Sequence, residues 1–315
     1  MVGVHVRFSR WRRARWVRAV LAGLYVVALA AAVPKGAGGH GREGSWSSEE
    51  ARRFWGPSRM SEATEAPADD ANADPQIEAQ RITGSARHFA GVPSVGVLFY
   101  VGDDMRNHFC TASVVHSPKG NMIITAGHCS HGDEAAFVPD YRQGSGKQPF
   151  GVWAVDREFV DPRRDSTGED SDLDFAFATV KPDGRGRQIE RVTGANRLVR
   201  TPGYTNRTTV IGYPSSDADA ADQAIRCTAM TTRLEGYKQL QMRCDGFYSG
   251  TSGSPWLIRF DERTKTGDLI GVLGGLNGGG PDGDESDKVS YSPINDDEIF
   301  KLYLDAINNR EPKRA

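Results

Sequence analysis

Between residues 94 and 276 the chain carries at least ten short runs of apolar and β-branched residues. They are SVGVLFY (94–100), CTASVVH (110–116), NMIITAG (121–127), VWAVDREFV (152–160), LDFAFATV (173–180), TTVIGYP (208–214), AIRCTAMTTRL (224–234), LQMRCDG (240–246), SPWLIRF (254–260) and LIGVLGGL (269–276). Clusters of Gly, Pro, Asn and Asp separate them. Strands this short, punctuated this regularly, pair into antiparallel sheets that close as barrels or pack as sandwiches. The 36 glycines suit the turns, and a hydrophobic share of 38% is enough for a core, which excludes a wholly disordered chain. No repeat of fixed period and no heptad is present, which argues against solenoids, propellers and coiled coils. One helix is expected at the end: Asn295 can cap, Glu298 stands three residues on, and Ile299, Leu302, Tyr303 and Ala306 follow at helical spacing.

Charge is balanced overall, 39 basic against 41 acidic residues, which argues against a dedicated nucleic-acid binder. Its distribution is not even, because residues 1–42 hold eight Lys and Arg and no acid. A basic stretch to Arg18 is followed by AVLAGLYVVALAAAV (19–33) and Pro34. That order reads as a secretory signal peptide over 1–33, since the apolar run is shorter than the roughly 20 residues a membrane span needs. An uncleaved N-terminal anchor is the alternative. Residues 34–81 turn to Gly, Ser, Ala, Glu and Asp with few aliphatics, the composition of a linker or pro-segment that cannot fold alone. The remaining 82–315 form the main domain.

The four cysteines follow the signal as two local pairs, Cys110 with Cys129 and Cys227 with Cys244. In an exported chain an even count points to disulfides. Of three possible connectivities the local one is favoured, because each pair can sit across neighbouring strands. The C-x-x-C spacing of a zinc site is absent, and the acidic loop 281–287 reads as solvated, so no metal is expected.

Three segments carry residue types that cooperate in nucleophilic catalysis: TAGHC (125–129), DLDFAFATV (172–180) and GTSGSP (250–255). A serine hydroxyl is a weak nucleophile until an imidazole accepts its proton, and the imidazole needs a carboxylate to fix its tautomer. Within the segments choices stay open. His116 and His131 neighbour His128. Asp172 and Asp174 are two apart, on one face of a strand, so periodicity does not separate them. Ser249, Ser252 and Ser254 share one turn.

In order and spacing these segments resemble the chymotrypsin-like serine protease family over residues 82–307. The resemblance implies an all-β fold of two antiparallel six-stranded barrels with a C-terminal helix. It selects His128 as base, Asp174 as its orienter and Ser252 as nucleophile, with the amides of Gly250 and Ser252 as the oxyanion hole. Gly-Thr-Ser-Gly-Ser-Pro is similar to the secreted bacterial branch that includes V8-like glutamyl endopeptidases. Two polar groups that receive Glu in that branch are replaced here, by Leu273 and Phe247, and the residue aligned with trypsin's pocket-floor Asp is Gly246. Substrate contacts are therefore assigned to Phe247, Leu273, Gly274 and Gly275, with a lean to apolar or small side chains. Arg81–Ile82 within RITGS looks like the family's activation site, but Thr251 stands where the new terminus would need an acid. The expected protein is a secreted, monomeric serine endopeptidase acting on proteins or peptides, with no cofactor and no nucleic-acid or membrane partner once the signal is removed. The alternatives are an inactive homologue that only binds and a Glu-specific endopeptidase.

Overall fold

The computed structural model describes residues 46–67, 84–129, 132–219, 221, 223–283 and 285–313. The expected signal (1–33), the Arg81–Ile82 bond and His131 lie outside them. The strands are β1 (Thr64–Glu65), β2 (Arg87–His88), β3 (Val95–Val101), β4 (Asn107–Val115), β5 (Met122–Thr125), β6 (Asp133–Pro139), β7 (Trp153–Val160), β8 (Ala176–Val180), β9 (Arg197–Leu198), β10 (Arg207–Gly212), β11 (Ile225–Leu234), β12 (Gln239–Arg243), β13 (Pro255–Asp261), β14 (Thr266–Val272) and β15 (Val289–Pro293). The helices are α1 (Ser48–Phe54), α2 (Pro57–Ser61), α3 (Ile189–Thr193) and α4 (Asp297–Ile307). No helix among the described residues is long and apolar enough to cross a membrane.

The first sheet runs β4-β3-β6-β7-β8-β5, each strand antiparallel to the next, and β5 returns to β4, so six strands close into a barrel. The second repeats the six-strand antiparallel order as β15-β12-β11-β10-β13-β14, with β2 added to β11 and β9 to β14. Its end strands β14 and β15 form no ladder among the described residues. The second expected barrel is thus present as a sheet of that order without a hydrogen-bonded closure.

Burial on both faces explains why the VGVLFYV run reads as continuously apolar rather than alternating. Leu98 and Tyr100 of β3 point into the barrel core with Val114, Ile123, Phe137 and Trp153. Val97 and Phe99 point the other way, into a layer shared with Tyr213, Leu257 and α4. Five strands match none of the ten runs: β1, β2 and β9 are two residues each, too short for a pattern, and the longer two have physical excuses. β6, DEAAFVP, opens with acids and alanines that are poor strand formers, and β15, VSYSP, is short, Ser-rich and ended by Pro.

The terminal helix forms with Ile299, Leu302 and Ala306 buried. Its cap is Asp296, whose side chain accepts from the Glu298 amide, and not Asn295. Asn295 Nδ2 instead donates to the carbonyls of Val199 and Leu269 inside the sheet. Tyr303 ties α4 to the first barrel, its ring edge-on to Phe177 and its hydroxyl donating to His116 O.

Residues 46–67, part of the segment read as linker or pro-segment, form a strap on the first barrel. Ser47 and Glu50 make a capping box for α1, and Pro57 opens α2. Ala51, Trp55 and Met60 are buried in the shared apolar layer. The indole nitrogens of Trp46 and Trp55 donate to the carbonyls of Ala135 and Glu134 on β6. Burying a tryptophan this fully is worth about 3 to 5 kcal/mol against Ala, so a segment unable to fold alone gains its stability by docking. The strap ends in β1, which pairs in parallel with β4 at His108 and Phe109.

Candidate active site

His128 sits in a 3-10 turn, Gly127–Cys129, directly after β5. The disulfide from Cys129 to Cys110 of β4 pins that turn to the barrel wall. Asp174 follows another 3-10 turn, Glu169–Leu173, and is fully buried. Its Oδ2 lies 2.8 Å from His128 Nδ1, its Oδ1 accepts from the His128 amide at 2.8 Å, and the Gly275 amide donates to Oδ2 at 2.7 Å. Arg164 Nη1 stands 3.6 Å from Oδ1. Burial pushes the Asp174 carboxyl up, but the His128 charge and hydrogen bond, Arg164 and the Gly275 amide together outweigh it and hold the group below the usual carboxylate value. A carboxylate only accepts, so it fixes the proton of a neutral ring on Nδ1 and leaves Nε2 as a proton acceptor.

Asp172 does not share a strand face with Asp174, because the turn replaces the expected strand there. It is half-buried. It accepts from Gln239 Nε2 and the Lys238 amide of the second sheet, and burial raises its pKa against those bonds.

Ser252 lies in the turn before β13, held by a residue that sequence reasoning missed. The Thr111 amide donates to Ser252 O at 2.8 Å, and Thr111 Oγ1 donates to Gly250 O at 3.1 Å while accepting from the Tyr213 amide at 2.9 Å. Thr111 O in turn accepts from Thr125 Oγ1 at 2.8 Å. One strand residue therefore links the His128 turn, whose disulfide it adjoins, to the Ser252 loop of the other half. Its strand position gives no local signal, since its role exists only across the interface.

Gly250 and Gly253 adopt φ of 90° and 83°, a region costly for other residues. A Cβ on Gly253 would collide with Thr111 O and Thr125 Oγ1, and one on Gly250 with the Phe109 ring. The loop carbonyls of Gly250 and Ser252 are thus tied down by Thr111. Among the described residues no protein acceptor meets the amides of Gly250 and Ser252. Such a pair of free donors can receive an anionic oxygen. Thr251 Oγ1 donates to Tyr248 O at 2.7 Å, so that side chain is used within its own loop.

Ser252 opens on a cavity of about 360 Å³. Phe247 and Leu273 line it, together with Gly278, Gly279, Gly280 and Ser290, which the sequence did not single out. Gly274 and Gly275 do not line it. Their amides serve Tyr291 O and Asp174, and the Gly274 carbonyl has no protein donor among the described residues. The second disulfide, Cys227–Cys244, joins β11 to the end of β12 within the second core.

No family model matches the chain, and no curated protein matches its sequence. Solved structures do. The chain is similar to the protease Anisep from Arthrobacter nicotinovorans at 21% identity and a TM-score of 0.61, over 71% of this chain and 99% of that one. It is similar to the thermostable serine protease AL20 from an extremophilic microorganism at 22% identity and 0.59, over 69% and 98%. A Glu endopeptidase solved with MPD follows at 17% and 0.53, over 71% and 97%. These likenesses establish the chymotrypsin-like fold.

Proposed function

We propose that this chymotrypsin-like chain is a secreted serine endopeptidase in which Ser252, His128 and Asp174 act together. The observation that carries the reading is the buried Asp174 carboxylate, which takes both the ring and the amide of His128. A buried charge is costly, and a fold keeps one where its partner must be oriented. The serine proteases among the similar structures support the same class.

In this mechanism Ser252 Oγ attacks the carbonyl carbon of the scissile peptide bond as its proton passes to His128 Nε2. Asp174 stabilises the imidazolium without taking its proton. The carbonyl oxygen becomes negative and is met by the amides of Gly250 and Ser252, each such donor being worth about 3 kcal/mol. The tetrahedral species collapses, His128 returns the proton to the leaving amine, and an acyl-enzyme remains on Ser252. Water, deprotonated by His128, attacks that ester and restores the serine. The acyl half of the peptide donates an amide to the Gly274 carbonyl and puts its side chain between Phe247, Leu273 and Gly278 to Gly280. The departing half leaves toward Phe109. The two disulfides and the expected leader support export.

A Glu preference has no support in the pocket, since no Lys, Arg or His is among the described residues that line it. Labelling of the full chain with a fluorophosphonate tests the proposal. Uptake by the wild type, abolished in Ser252→Ala and strongly slowed in His128→Ala, is the expected result, and a folded wild type that takes up no label would refute it in favour of a protein that only binds.

A further inference from the structure

We infer that Glu65, carried by the strap, is a specificity-determining residue that selects a cationic side chain on the leaving-group side of the scissile bond. The inference rests on the peptidase reading above. The cavity at Ser252 is lined by the apolar Phe247, Leu273 and the glycines 278–280 and also by the polar Glu65, Ser215 and Asp217. The described residues lining this cavity include two carboxylates, Glu65 and Asp217, and no cationic side chain.

Glu65 is held in place from two directions. Its backbone is fixed by β1, where it pairs with Phe109, the Ala66 amide donates to Phe109 O, and His108 Nδ1 donates to Glu65 O at 3.0 Å. Its side chain accepts from Ser215 Oγ at 3.2 Å, and the Ser215 amide donates to Ser249 O at 2.7 Å. The carboxylate is thereby wired, through one buried serine, to the loop that carries Ser252. A half-buried, positioned charge of this kind acts on a substrate group more strongly than a surface acid does.

The side of the bond follows from the neighbours. Phe109, opposite Glu65 in the ladder, abuts Gly250 before Ser252, whereas Leu273 O accepts from the Gly253 amide after it, so the two meet the loop on opposite sides of Ser252 in the chain. A side chain of the acyl half fills the apolar lining at Phe247 and Leu273, and a residue of the departing half, which leaves toward Phe109, passes its ladder partner Glu65. A Lys or Arg there gains two negative partners, and an Asp or Glu meets repulsion from both.

The test is cleavage of a random peptide library by the full chain and by Glu65→Gln and Glu65→Lys, read by mass spectrometry, with fluorophosphonate labelling rates measured in parallel. Glu65→Gln keeps the acceptor for Ser215 and removes only the charge. Wild type should favour Lys or Arg over Leu just after the cut by roughly fivefold. Glu65→Gln should weaken that preference by at least about half at an unchanged labelling rate, the remainder resting on Asp217, and Glu65→Lys should turn it toward Asp and Glu. Cleavage with no cationic preference after the cut, or with the same preference in Glu65→Gln, would overturn the role of Glu65 while leaving the peptidase standing. Absence of both labelling and cleavage would remove both together.

Discussion

The first barrel and the second sheet each supply part of the proposed site, and they hold it by different means. The barrel is closed by ladders all round, and it offers two side chains, His128 and Asp174, set by a disulfide, by a buried carboxylate and by the strand β5 that ends beside them. The second sheet lacks the closing ladder and contributes mainly backbone: a loop with two left-handed glycines, two free amides and a carbonyl. Acid and base chemistry needs side chains of particular type, whereas stabilising an oxyanion needs only amides aimed correctly. A glycine-rich loop can therefore do the second task but not the first.

The sharpest way to break this contrast is to change side-chain chemistry in the barrel half. Asp174→Asn should cut turnover by roughly 10⁴-fold, because the ring then loses its tautomer and its partner. Steady-state kinetics and label uptake measure the loss, and a drop of under about tenfold would mean that the barrel half does not act through this pair. The same group bears on acid stability. Its pKa is held below the unfolded value, so its contribution is present above about pH 4 and fades as pH falls through the folded value. Wild type should lose stability on that acid limb, and Asp174→Asn should flatten it in urea titrations.

The two disulfides sharpen the contrast next. They close loops of similar length, with separations of 19 and 17 residues, so replacing either pair by alanines should cost about 3 kcal/mol in urea unfolding. Only the Cys110/Cys129 pair adjoins His128, so only its loss should also lower kcat, by up to about 100-fold through misplacement. Equal kinetic effects from the two pairs would show that both halves steer the imidazole.

Thr111→Val probes the seam between them. It keeps the volume and removes the hydroxyl that serves Gly250 and Tyr213, for an expected cost of about 1 to 3 kcal/mol and slower labelling of Ser252. The smallest effect is expected at Asp140, beyond β6. Burial lifts its pKa to about 6 despite Arg142. The native state therefore holds this proton more tightly than the unfolded chain, and stability falls as pH rises through that window. Asp140→Asn should gain about 1 kcal/mol at pH 8 and nothing at pH 4, in matched thermal melts.

The same division explains what could be read in the sequence. TAGHC and GTSGSP announce themselves because their side chains and glycines are local requirements, and the apolar runs between them give most strands. Helix α4 was legible from its spacing, though its cap was placed one residue early because Asn295 and Asp296 are both good cap residues and only the fold sends Asn295 elsewhere. The cavity was not legible beyond Phe247 and Leu273. Gly278, Gly279 and Gly280 line it through chain path rather than side-chain type, and Glu65 reaches it from a segment whose composition reads as filler. Thr111 matters through contacts more than 100 residues away in the chain, which no local pattern encodes.

One strand of the barrel has its outer rim filled piece by piece: the strap covers it at His108 and Phe109, the Ser252 carbonyl at Thr111, and β5 from Ser113 to Val115. Trimming the chain past residue 67 would strip the first of these and uncover the hollow that seats Trp55 and Met60. Such a shortened product would keep Ser252, His128 and Asp174, yet it would present a bare seam beside an oily depression, the combination that makes proteins clump. Preparations of this molecule should therefore be judged for solubility by where they start, even when the chemistry is untouched.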